Sequence, residues 1–163
     1  MSVAPKPGSS MARVVDAAND MGLSIALKTM DQSTRTAEEA AAACGCDVGQ
    51  IVKSLVFRDI EQDTLVLMLV SGQHNANLDH VRAAYDLKLE RADTRRVRDE
   101  TGFAIGGVAP IGHKQPLPIY IDEALLPYSQ VWAAAGRPDS VFGVDPNVLA
   151  KAIGAKRVRV RSD

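Results

Sequence analysis

Apolar residues recur along the chain with two different periods, and the switches between them mark out short elements of alternating type. From Met11 to Met21, the positions Met11, Val14, Val15, Ala18 and Met21 share one helical face, and Gly22 can close the helix in a left-handed conformation. "LSIALKTM" then alternates in period two, as a strand does. "TAEEAAAACG" opens with Thr36 as N-cap and Glu39 at N3, the pairing of a capping box, and Gly45 stops that helix. "QIVKSLVFRDI" reads as a strand, and "TLVLMLVSG" as a second strand buried on both faces. Only "EQD" separates them, which predicts a hairpin. Asn77 can cap a helix carrying Leu78, Val81 and Tyr85, "LKLERA" is a short strand, and Asp93 can cap a charged helix that reaches Gly102. After an aperiodic glycine-rich stretch, "LPIYID", "SQVWAAAG" and "SVFGV" predict three more strands. Asp145-Pro146 supplies an N-cap and first helical residue, Gly154 the stop, and "KRVRVR" a closing strand.

The strands cluster and the helices are interspersed irregularly, so the class is α+β. The expected sheet is mixed, largely antiparallel and barrel-like, with helices outside. There is no repeat and no internal linker in 163 residues, which predicts a single domain over 10–163 after a flexible N-terminal tail, 1–9. Hydrophobic residues make up 46% and charged residues 24%, as in an ordinary soluble protein. No apolar run nears the roughly 20 residues that span a bilayer, and "MSVAPKPGSS" lacks a signal-peptide core, so a cytoplasmic location is expected. With a net charge of −1, any contact with nucleic acid has to come from a local basic patch.

Candidate chemistry is sparse. Cys44 and Cys46 form C-x-C, too few for a thiolate zinc cage, and read best as reduced small apolar residues. His74, His80 and His113 make no metal-ligand spacing, and no G-x-S-x-G elbow is present. "TGFAIGGVAPIGHK" concentrates Gly102, Gly106, Gly107 and Gly112 with Pro110. It nearly spells a P-loop from Gly107, but His113 stands at the lysine position and "QPLP" cannot begin an ordinary helix. Its glycines serve either tight turns alone or a backbone that approaches a ligand closely. In "IVKSLVF", Lys53 falls in a row with Ile51, Leu55 and Phe57. A cation there either snorkels at a sheet margin or is aimed at an anion or a carbonyl. Ser71-Gly72 ends the buried strand, where pocket residues commonly sit. Arg91, Arg95, Arg96 and Arg98, then Lys156, Arg157, Arg159 and Arg161, form two basic groups, each either a solvated face or an RNA-backbone contact.

"STRTAEEAAAACGCDVGQIVKSLVF", "VSGQHNANLDHVR", "TGFAIGGVAPIGH", "VWAAAG" and "DPNVLAKAIGA" together, in this order and over nearly the whole chain from about Met11, resemble the YbaK/prolyl-tRNA-synthetase-associated editing domain family. The resemblance implies a freestanding trans-editing hydrolase, a deacylase that cleaves the ester of a mischarged transfer RNA without a metal or other cofactor. The implied partners are an aminoacyl-tRNA and a synthetase such as prolyl-tRNA synthetase, with neither membrane nor DNA involved. It implies that Lys53 and the glycine loop carry catalysis, with backbone N–H groups at Gly106, Gly107 and Val108 facing an oxyanion. Lys53 could bind the terminal phosphate, stabilise developing charge or orient water, and these roles stay open. Met30, Ser71, Gly72, Gly102, Val108, Pro110, Gly112, His113, Ala134 and Gly136 are the expected substrate contacts, and Arg95, Arg96, Arg157 and Arg159 the expected tRNA contacts. Where cysteine-specific members carry Ser-Gly-Gly this chain has Ala134, Ala135 and Gly136, and an aromatic position becomes Met30. Arg137, Pro138 and Asp139 follow where some members have a histidine. A small residue, Ala, Ser, Thr or Cys, on tRNA(Pro) or a related tRNA is the expected substrate. The alternative is a non-catalytic tRNA or aminoacyl-binding module of the same fold.

Overall fold

A computed structural model describes residues 8–30 and 36–161; most of the expected tail, 1–9, lies outside them. Local capping sets most of the boundaries. Helix α1 (Ser10–Met21) starts where Ser9 Oγ accepts the Ala12 N–H at 3.1 Å, and it ends at Gly22 with φ +70°. Thr36 caps α2 (Ala37–Cys44), Asn77 caps α3 (Leu78–Tyr85), Asp93 caps α4 (Thr94–Thr101) and Asp145 caps α5 (Pro146–Ile153). In each case a side-chain oxygen takes an N–H that the first helical turn leaves unpaired.

The strands are β1 (Ala26–Thr29), β2 (Val52–Asp59), β3 (Thr64–Ser71), β4 (Leu89–Arg91), β5 (Ile119–Asp122), β6 (Val131–Arg137), β7 (Ser140–Val144) and β8 (Lys156–Val158). They form two sheets, ordered β1-β7-β6 and β4-β2-β3-β5-β8. β2 and β3 pair antiparallel along their whole length as the expected hairpin, while β5 runs parallel to both β3 and β8, so the larger sheet is mixed. An isolated parallel bridge between Ile51 and Trp132 ties the two sheets together. The last strand is shorter than "KRVRVR" predicts. β8 pairs only with β5, and β5 ends at Asp122, where a 3-10 turn (Glu123–Leu125) begins, so nothing continues the ladder past Val158.

Apart from Thr64, β3 is buried along its length, as its sequence requires. Leu65, Leu67 and Leu69 join Val131, Ala133 and Phe142 of the smaller sheet, with Val14 and Leu149 of the helices, in the main core. Val66, Met68 and Val70 on the opposite face pack with Val81 and Val160. β2 behaves differently. Its two mostly apolar faces predict a well-buried strand, yet from Lys53 to Asp59 it is only half-buried. β4 covers it only at Phe57, Arg58 and Asp59, so residues 52–56 have no strand partner on that edge. No described helix is long and apolar enough to cross a membrane.

Candidate functional site

The uncovered edge of β2 forms one wall of a cavity of about 340 Å³. The glycine loop faces it through Ile105, Gly106 and Val108, Trp132, Ala134, Ser140 and Val141 come from β6 and β7, and Thr36, Ala37 and Ala40 close the α2 end. Lys53, Gly106, Val108 and Ala134, four of the residues singled out from sequence, therefore line one cavity.

Lys53 Nζ donates to the His74 carbonyl and, at 3.5 Å, to Asn75 Oδ1. These contacts hold the ammonium against the segment that follows β3 and leave part of its donor capacity for a ligand. Burial pulls the Lys53 pKa below the usual lysine value, and the carboxylates of Glu38 and Asp122 oppose that shift. A partly desolvated cation at a cavity wall interacts strongly with an anion or a developing oxyanion.

The loop is fixed at its base and open at its tip. The Arg13 guanidinium, on α1, donates to the carbonyls of Gly102 and Gly112 and lies 5.1 Å from the centre of the Phe103 ring. The backbone N–H groups of Lys114 and Gln115 return to the carbonyls of Thr101 and Glu100. Ala104, Ile105 and Gly106 stay exposed, whereas Gly107 to Ile111 are buried. Gly106 has φ +94°, a left-handed conformation for which glycine is suited. Gly107 N–H is committed to the Ala104 carbonyl at 3.0 Å. Among the described residues, the N–H groups of Gly106 and Val108 have no partner. These two, rather than Gly107, are the donors left for a ligand.

The other expected substrate contacts are not among the residues that line this cavity. Ser71 is buried, and its hydroxyl donates to the Gly49 carbonyl at 2.8 Å. At Gly72 a Cβ would come within 2.4 Å of the Val48 carbonyl oxygen, so this glycine lets the chain pass tightly beside Ala37 and Ile51. Gly102 and Gly112 accommodate Arg13, and Pro110 is buried. His113 is half-buried and bonded to the Ala109 carbonyl. Gly107 lies against Gly136, which in turn lies against Ser10 at the start of α1. Met30 is buried, and its N–H donates to the Asp139 carbonyl at 2.7 Å. Arg13, Ser54, Ile105 and Trp132 escape a reading by motif, and Thr36 is legible only as a helix cap. Arg13 reaches the loop across about 90 to 100 positions of sequence, and no local pattern carries such a contact.

The basic residues divide by partner. Arg96 is paired with Asp63 at 2.8 Å and Glu100 at 2.5 Å. Arg159 and Arg157 lie 2.7 and 3.5 Å from Glu123, whose pKa they hold below the usual carboxylate value. They border a separate cleft of about 420 Å³ that also contains His74 and Asp122, joined Nδ1 to Oδ2 at 3.1 Å. Arg91, Arg95 and Arg98 are exposed and have no acidic partner among the described residues. The described residues contain no cluster of three or more His, Cys, Asp or Glu that could hold a metal ion.

Residues 31–160 match the model of the aminoacyl-tRNA editing domain. The chain is 30% identical to the uncharacterized protein YwhH of Bacillus subtilis over 74% of its length and 76% of the relative's. It is 28% identical over 70% of both chains to an Enterococcus faecalis protein named "Putative Cys-tRNA(Pro)/Cys-tRNA(Cys) deacylase EbsC". A crystal structure described as "a putative trans-editing enzyme for prolyl tRNA synthetase" superposes with a TM-score of 0.87 at 42% identity, covering 99% of this chain and 100% of that one.

Proposed function

The chain belongs to the aminoacyl-tRNA editing domain family, and from that premise we propose that it hydrolyses the ester linking a small amino acid to a mischarged tRNA, acting in trans. The observation that carries this reading is that Lys53, Gly106 and Val108 line one cavity, with the N–H groups of the two loop residues lacking a partner among the described residues. In the proposed reaction the oxygen of water adds to the ester carbonyl carbon. The carbonyl oxygen takes up negative charge, and the Gly106 and Val108 N–H groups donate to it, each donor contributing on the order of 3 kcal/mol. The bond to the ribose oxygen then breaks, that oxygen takes one proton of the attacking water and becomes a hydroxyl, the water's other proton passes to solvent, and the amino acid leaves as its carboxylate. Lys53 serves this sequence as a cation that opposes the developing charge. It is a poor general base while protonated, so the ribose hydroxyl beside the ester is the better candidate to help position water.

Ala134, Val141 and Trp132 make the inner wall apolar, which suits Ala, Ser, Thr or Cys more than a charged side chain. By analogy with the named relatives, a proline-specific tRNA and its synthetase are the proposed partners. Release of amino acid from a panel of mischarged tRNAs tests the reading, with cleavage expected for a small aminoacyl group and expected to persist in EDTA. Lys53→Ala is expected to lower kcat about 100- to 1,000-fold at unchanged thermal stability. Binding to aminoacyl-tRNA with no turnover on any member of the panel would replace the hydrolase by a recognition module. Full activity in the Lys53 variant would remove the lysine from the mechanism.

A further inference from the structure

The cavity beside Lys53 does not end at the glycine loop. A second cleft, of about 220 Å³, continues along the same edge of β2, and Ser54, Leu55, Ile105, Gly106 and Val108 line both. Beyond the shared wall it is bordered by Phe57 of β2 and by Arg91 of β4, which stand opposite one another in the strand register. A third opening, on the far side of Ile105, is bordered by Arg95 and Arg98. Ile105 thus stands where three clefts meet. It is 59% exposed, although Val108 to Ile111 of the same loop are buried. An apolar side chain held in solvent between a cavity and two arginine-bordered clefts gains apolar contact when a flat, partly apolar ligand lies beside it.

Ser54 supplies an independent sign. Its Oγ is buried from solvent, has no hydrogen-bond partner among the described residues, and belongs to the wall that the two cavities share. A hydroxyl left in that condition costs stability unless a ligand pairs with it.

We infer that the cleft between Phe57, Arg91 and Ile105 holds the 3′-terminal nucleoside of the RNA, and that Arg95 and Arg98 take the phosphate that precedes it. The inference rests on the proposed hydrolase reading for the chemistry of the ligand. In an aminoacyl-tRNA the amino acid is joined directly to the terminal ribose. A site for the aminoacyl group therefore needs a contiguous site for a base, a sugar and, one bond further, an anion. The three clefts offer that order: a cavity with Lys53, an aromatic and a guanidinium for a base face, and two arginines without acidic partners for the phosphate. Ser54 lines both clefts where they join, and a ribose oxygen is the partner assigned to its hydroxyl.

Binding of an unreactive amide analogue, a 3′-aminoacylamino-3′-deoxyadenosine, followed by calorimetry and compared with the same aminoacyl group as a methylamide, tests the assignment. Arg91→Ala and Ile105→Asp are each expected to weaken the nucleoside analogue about 10-fold and Ser54→Ala several-fold, with the methylamide unaffected. Adding a 5′-linked cytidylate is expected to tighten binding to the wild type and not to the Arg95→Ala/Arg98→Ala variant. Both arginine sites and Ile105 are exposed, and melting curves matching the wild type show that the variants are folded. The assignment is overturned if the wild type does not bind the nucleoside analogue more tightly than the methylamide. It is also overturned if Arg91→Ala and Ile105→Asp bind the nucleoside analogue like the wild type. Analogue binding that follows the expected pattern in a protein that cleaves no mischarged tRNA sinks the hydrolase reading and keeps the cleft. Cleavage that is indifferent to Arg91 and Ile105 does the reverse.

Discussion

At the scale of single residues, two sites show how burial and hydrogen bonding turn a plain side chain into a constrained one. Lys53 is legible in sequence because a cation falls in an apolar row, but its partners, the His74 carbonyl and Asn75, come from a segment about twenty residues away and depend on how the chain turns after β3 ends at Ser71. His113 is legible only as a member of the glycine stretch, and its role there is to hold the loop. Its Nε2 lies 2.6 Å from the Ala109 carbonyl, which can only accept, so Nε2 carries the hydrogen. Its Nδ1 is buried with no partner among the described residues, and the ring meets Phe103 edge-on with centroids 5.2 Å apart. Burial lowers its pKa below 6.5, the nearby Arg13 charge acts in the same direction, and the hydrogen bond to Ala109 opposes both. The unfolded chain therefore binds a proton at this position at a higher pH than the folded chain does. Below about pH 6.5 the unfolded state holds more protons, so stability rises with pH through that window and falls as pH drops. Melting temperatures measured between about pH 7.5 and 5.5 are expected to decline for the wild type and to be flatter for His113→Gln, which keeps a donor for Ala109. Parallel curves would show that His113 titrates alike in both states.

At the scale of elements, the capping residues and the glycines that end helices could be read directly, because each acts within four positions of its own helix. Thr36, Asn77, Asp93 and Asp145 cap where the sequence places them, and Gly22, Gly45, Gly102 and Gly154 terminate with positive φ. The functional division inside the glycine loop could not be read this way, since it depends on α1. Gly106 and Gly112 look alike in sequence and both have positive φ, +94° and +82°. A Cβ on Gly106 meets nothing within 4 Å, whereas one on Gly112 would lie 2.9 Å from the Arg13 carbonyl oxygen. Gly106→Ala is thus expected to cost only the left-handed strain, about 1 kcal/mol, and Gly112→Ala about 2 to 4 kcal/mol through strain together with displacement of α1. Thermal melts should separate the two by several degrees. Gly106→Ala should nonetheless lower turnover to the extent that the exposed loop tip relaxes this φ and turns the N–H away. A variant at Gly106 that keeps wild-type kcat would transfer the oxyanion role to Val108 alone. The uncovered edge of β2 is a similar case: its sequence predicts a buried strand, and the shortness of β4 is what leaves an edge for the cavity.

At the scale of the whole molecule, the net charge of −1 conceals two basic edges. The larger sheet runs β4-β2-β3-β5-β8, so Arg91 and the neighbouring α4 lie toward one edge and Arg157 and Arg159 at the other. Composition cannot distinguish these edges; ion pairing does. Arg157 and Arg159 share Glu123, while Arg91, Arg95 and Arg98 have no acidic partner among the described residues. Counterions released from RNA phosphates set the salt dependence of binding, with a slope of about −0.7 per phosphate contact on a single strand. With Arg95 and Arg98 sharing one phosphate, removing both should flatten the plot of log affinity against log salt by about 0.7, the single-contact value. Glu123→Gln is the complementary change, because it releases Arg157 and Arg159 from their carboxylate. An RNA that approaches over the α4 edge should bind this variant with an unchanged slope and nearly unchanged affinity. An RNA that passes over β8 should bind it more tightly and with a steeper slope. Fluorescence anisotropy of labelled tRNA across a salt series reads both quantities. A steeper slope for Glu123→Gln together with no change for the Arg95/Arg98 pair would place the RNA on the β8 edge and overturn the path over α4.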